Sequence, residues 1–69
     1  MLFLIEPPQD AQQDVDKFGY WLKAACQKLL HNDMPKLKMQ AVINQFGDML
    51  LAIEGNEETA QRVRSALYN

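Results

Sequence analysis

Few residues in this chain carry side chains that commonly do chemistry, and their spacing decides how much they could do together. Cys26 is the only cysteine and His31 the only histidine. A nucleophilic thiol needs a positive, partly exposed setting and a neighbouring base. Cys26 instead stands among Leu22, Leu29 and Leu30, which marks it as an inert thiol on an apolar helix face. His31 with Asp33 nearby falls far short of the several convergent ligands that a metal site requires. Asp10 and Asp14 would share one face of a helix, whereas Asp14 and Asp16, two apart, would not. An acidic helix start complements the helix dipole before it serves as an acid and base pair. No phosphate-binding glycine loop occurs. These residue types predict no enzyme, no catalytic residue, no cofactor and no metal.

Surfaces are more promising than reactive groups. Tyr20 lies about half a turn from the apolar seam of its helix, where water is expected, and Trp21 lies at the edge of that seam. Large aromatics in such places are the side chains most enriched at binding hot spots. Leu37 and Leu51 fall in a stripe otherwise made of Lys36, Gln40, Asn44 and Asp48, so the helix expected there needs cover on more than one side. The opening arm adds Leu2, Phe3, Leu4 and Ile5. These eight residues are the candidate partner contacts. A second candidate surface is basic: Lys28, His31, Lys36 and Lys38 cluster about one turn and could hold an anion or nucleic-acid phosphates. Met34, Met39 and Met49 read as core fillers.

The elements that position these residues follow from periodicity. Residues 1–8 form an extended arm, because residues before proline avoid helical geometry and Pro7 and Pro8 close the segment. Over 10–31, Ala11, Val15, Phe18, Leu22, Ala25 and Leu29 alternate steps of four and three, the mark of a helical seam. Asn32 closes that helix, Asp33 caps the next, and Pro35 occupies its first turn. A second helix is expected over 34–54, with Met39, Val42, Ile43, Phe46, Met49, Leu50 and Ile53 on one arc. Gly55 stops it, and Asn56 caps a third helix over 57–68 lined by Ala60, Val63 and Leu67. The repeated Phe-Gly-x-x-Leu at Phe18 and Phe46 suggests a crossing in which each ring packs over the glycine opposite. The expected fold class is all-α, an antiparallel helical hairpin plus a short third helix and an extended arm.

Size and charge narrow the partners. A chain of 69 residues with a net charge of −2 is one small domain, and its charge argues against general nucleic-acid binding. A core of this size supplies only roughly 3–5 kcal/mol, so association with a second copy is the most accessible additional stability. The "MLFLI" opening lacks the basic flank and cleavage site of a signal peptide. Nor does any stretch approach the roughly 20 apolar residues of a membrane span. A lone thiol suits a reducing cytoplasm. The resulting expectation is a cytoplasmic, homodimeric protein-binding module, a regulator, inhibitor or chaperone-like adaptor. The competing expectation is a nucleic-acid-binding regulator that uses the basic turn.

Overall fold

Asn44 and Gly47 decide the middle of the chain. The Asn44 side-chain oxygen accepts from the amides of Phe46 (2.9 Å) and Asp48 (3.0 Å). The Gly47 amide donates to the Asn44 carbonyl, the Asn44 amide donates to the Asp48 carbonyl, both at 3.0 Å, and Gly47 sits at φ 82°. This is the pattern of a short hairpin loop closing on a left-handed glycine, with asparagine at the position that favours it. A hairpin therefore replaces the helix expected over 34–54. The computed structural model describes residues 1–34 and 36–68, so Pro35 and the role expected of it lie outside the described residues.

The chain is α+β, not an all-α helical hairpin. Its order is β1 (Leu2–Ile5), a 3-10 turn (Gln9–Ala11), α1 (Val15–His31), β2 (Lys38–Ile43), β3 (Met49–Glu54) and α2 (Glu57–Tyr68). The sheet order is β1-β3-β2, and both outer strands run antiparallel to β3. Strands β1 and β2 are thus parallel to each other but separated by β3, a split β-α-β unit bridged by α1. The strands over 38–54 in place of a helix have a clear physical cause. Leu50, Leu51, Ala52 and Ile53 are all buried, so β3 is apolar on both faces and shows no alternation. A continuous apolar run fits a helical arc as readily as a central strand.

Local hydrogen bonds set the helix ends. Asp14 caps α1 by accepting from the amides of Asp16 (3.0 Å) and Lys17 (3.1 Å), so the helix starts at Val15 rather than at residue 10. Just upstream, the Gln12 carbonyl accepts from the Met49 amide at 2.8 Å, which ties the loop to the sheet. At the other end Asp33 does not cap a following helix. It adopts φ 59° and ends α1, with Asp33 N–H donating to Leu30 (3.2 Å) and Met34 N–H donating to Leu29 (3.0 Å). That is a Schellman closure, and its usual hydrophobic contact is supplied by buried Leu29 and Met34 in one cluster. Helix α2 is capped by Asn56, whose Oδ1 accepts from Thr59 N (2.8 Å) and Oγ1 (2.9 Å). Thr59 presses back on the preceding turn: a Cβ at Gly55 would lie 2.8 Å from Thr59 Cγ2, so a larger residue there would force Thr59 to shift.

The core lies between the sheet and the two helices. Phe3, Ile5, Leu51 and Ile53 from the sheet meet Leu29 of α1 and Ala60 and Val63 of α2, with Met34 at the end. The arm is therefore extended, as a strand of the chain's own sheet, with Ile5 directly opposite Leu51. Arg64 covers one side of Phe3, its guanidinium carbon 5.6 Å from the ring centre. The proposed crossing of Phe18 over Gly47 and Phe46 over Gly19 does not form. Phe46 is 74% exposed at the hairpin tip, and a Cβ at Gly19 would meet nothing within 4 Å.

The two glycines of the repeated motif should consequently respond in opposite senses. Gly19→Ala, in an open helix interior, should raise stability by about 1 kcal/mol. Gly47→Ala, at positive φ, should lower it by about 1 kcal/mol. Chemical denaturation of both variants checks the pair. Ile5→Ala should cost about 2–5 kcal/mol, comparable to the entire stability of so small a domain. Loss of a cooperative thermal transition is the expected reading.

Candidate functional site

Strand register sorts the sheet into two faces. Phe3, Ile5, Leu51, Ile53 and Met39 point toward the helices, and the alternate residues point away. The outer face carries Leu2 and Leu4 from β1, Leu50, Ala52 and Glu54 from β3, and Lys38, Gln40 and Val42 from β2. Both helices pack on the inner face, and on the outer face Leu50 and Ala52 of the central strand are themselves buried, 6% and 1% exposed, so the open apolar side chains there are those of β1. Leu2 remains 64% exposed and Leu4 49% exposed. Ala52 sits between Leu4 and Gln40, beside a shallow depression of about 260 Å³ lined by Leu2, Lys38, Met39, Gln40, Ala52 and Glu54. Lys38 and Glu54 stand directly opposite each other in the row that begins with Leu2. The site is an apolar patch with one cation and one anion at its rim.

The eight expected contact residues separate into three groups. Phe3, Ile5 and Leu51 are consumed by the chain's own core and are closed to a partner. Leu37 and Trp21 are half-buried against that core, and Trp21 also packs on Phe18 with ring centres 5.8 Å apart. Leu37 belongs to no helical polar stripe, since it precedes β2. Leu2, Leu4 and Tyr20 remain open. Tyr20 is 77% exposed on α1, beside a shallow depression of about 300 Å³ lined by Val15, Asp16, Gly19 and Lys23. It lies on a helix and Leu2 and Leu4 on the outer sheet face, so these are separate surfaces.

The basic candidates are also rearranged. Lys28 and His31 end α1, where the helix dipole favours cations. Lys36 is exposed in the following turn and Lys38 opens β2, so neither burdens a helix start. Arg62 of α2 joins this end of the molecule, its Nη2 donating to the Asn32 carbonyl at 3.4 Å. The sequence gives no sign of that approach, because Arg62 faces Asn32 only once α2 has packed beside α1. Gln40 and Val42 were equally hidden by the helical reading of 34–54. The Asn-x-x-Gly of the hairpin loop is the signal that would have placed them on a strand face.

Among the described residues, the geometry gathers no reactive groups. Cys26 is a free, half-buried thiol on α1, and His31 and Asp33 are exposed. Among the described residues, no cluster of His, Cys, Asp or Glu could hold a metal ion, and no helix is long and apolar enough to cross a membrane. No family model, no characterised protein and no solved structure matches the chain.

The two faces of the sheet predict different sensitivities. Leu4→Glu should change stability by less than about 1 kcal/mol, as surface substitutions do. Ile53→Ala, on the covered face, should cost about 2–5 kcal/mol. Equal losses in a denaturant titration would contradict the assignment of Leu4 to an exposed position.

Proposed function

We propose that this chain is a small cytoplasmic protein-binding module without catalytic activity, a regulator, inhibitor or adaptor whose contact surface is the outer face of the sheet. The observation that carries this reading is the exposure of Leu2 and Leu4 beside the Ala52 depression, on the sheet face opposite the helix-packed core. An apolar centre with Lys38, Gln40 and Glu54 at its edge has the make-up of a contact patch, apolar inside and polar at the rim. A face of this kind recognises an apolar strand or helix surface on another protein, with the two rim charges setting orientation. The scarcity of groups able to act as nucleophile, base or metal ligand supports a binding role over catalysis, and the lone thiol suits a reducing compartment.

Affinity purification from the native host, run in parallel with the wild type and Leu4→Glu, tests the reading. A protein retained by the wild type and lost by the folded variant supports it. A partner retained equally by both places the contact elsewhere, and the outer face is then not the binding surface.

A second reading, nucleic-acid binding by the basic end, gains from Arg62, which adds a guanidinium beside the end of α1. Phosphate contacts weaken steeply with salt, whereas an apolar contact changes little. Mobility shifts at two salt concentrations should show no complex if the protein-binding reading holds. A salt-sensitive complex abolished by Arg62→Glu would favour the basic end instead.

A further inference from the structure

We propose that the free edge of β2 is a self-association site, at which β2 of a second copy pairs antiparallel and joins the two sheets into one. The edge shares Lys38, Gln40 and Val42 with the outer face, but the pairing runs through the β2 backbone and does not depend on that face binding another protein. Strand order β1-β3-β2 leaves β2 at the edge, with its register to β3 unbroken from Lys38 to Ile43. No proline or bulge interrupts it, and the devices that normally guard an edge are reduced to Lys38 at its start. Among the described residues, no hydrogen bond outside the sheet engages the backbone of 38–43. The other edge is treated differently: β1 is shorter and is followed by Pro7 and Pro8, and just past its end the Glu6 amide donates to the Tyr68 hydroxyl at 3.2 Å.

The helices also leave this edge bare. Leu51 and Ile53 on the inner face are covered, yet Ala41, directly opposite Leu51, is exposed and Ile43 is 70% exposed. A two-fold axis at Ala41 puts the small Ala41 side chains together. Directly opposed residues share a face in an antiparallel pair. Ile43 then meets Met39 of the second copy on the helix side, and Gln40 meets Val42 on the outer side. Lys38 comes level with Asn44, and Lys36 with the exposed ring of Phe46, where its ammonium and stem suit an aromatic face.

Charge selects the same arrangement. Lys36 and Lys38 lie at one end of β2, and the loop with Asp48 lies at the other. Antiparallel pairing brings Lys36 and Lys38 of each copy, with Glu54 beside Lys38, toward the loop of the other that carries Asp48, whereas parallel pairing would set the two lysine pairs together. A second copy thus supplies free strand edge, matching apolar residues and complementary ends from one surface.

Sedimentation of the full chain tests this, with Ile43→Lys and a cysteine pair of variants. The wild type should reach twice the 7.9 kDa of one chain as concentration rises. Ile43→Lys, at an exposed position, should keep its melting transition and weaken association at least tenfold. In a Cys26→Ala background, Ala41→Cys should form disulfide-linked dimers much faster than Gln61→Cys on the surface of α2, because directly paired Cβ atoms lie about 4.5–5.5 Å apart. A wild type that stays monomeric at every concentration overturns the proposal. So does a dimer that survives Ile43→Lys but is dissociated by Leu4→Glu, which would move association to the outer face. Equal cross-linking by the two cysteine variants overturns it as well.

Discussion

Strand β3 must be hydrogen-bonded on both edges while four consecutive residues, Leu50 to Ile53, are withdrawn from water. A buried backbone group without a partner costs as much as a lost hydrogen bond, so an apolar run of this kind cannot be buried as an isolated strand. One edge is satisfied locally, by the hairpin to β2. The other is satisfied by the first residues of the chain, which return from far away in sequence to pair Leu2 with Glu54 and Ile5 with Leu51. The apolar arm exists for that reason. Its alternate residues, Phe3 and Ile5, complete the core, and the prolines end the strand where the chain must turn toward α1.

Short polar side chains make the reversals that this arrangement needs. Asp14, Asn44 and Asn56 each accept backbone amides a few residues on, and so start α1, close the hairpin and start α2. Asn32 closes the end of α1 from the other direction, its side-chain amide donating to the Lys28 carbonyl at 2.8 Å. With so small a core, these local bonds carry much of the geometric definition of the fold. They also hold the loops near the sheet, as Gln13 does when its amide reaches Asp48 at 2.8 Å.

The same economy shapes what is left for function. With both helices on one side, the molecule has two layers, an outer sheet face opposite the helices and a free β2 edge. Apolar side chains remain in view on each, Leu2 and Leu4 on the face, Ile43 and Phe46 at the edge and its turn. Charge sits around these patches rather than within them.

Sequence by itself determined the local events. The seam of Phe18, Leu22, Ala25 and Leu29, the caps at Asn32 and Asn56, and the extended character of the arm all depend on neighbours within a turn or two. It also carried the hairpin signal at Asn44 and Gly47, which the dense apolar pattern around it outweighed, because a run buried on both faces has no period to read. Tertiary structure alone decided the rest. The Asn44–Gly47 loop turns the chain back, but pairing of the arm along the far edge of β3 is a long-range contact that no local pattern announces. Which residues of the arm are core and which are surface followed from register, a relation between distant strands in which a shift of one residue exchanges every side chain between faces. The outer patch, the free edge and the approach of Arg62 to Asn32 are consequences of that register and of both helices taking the same side.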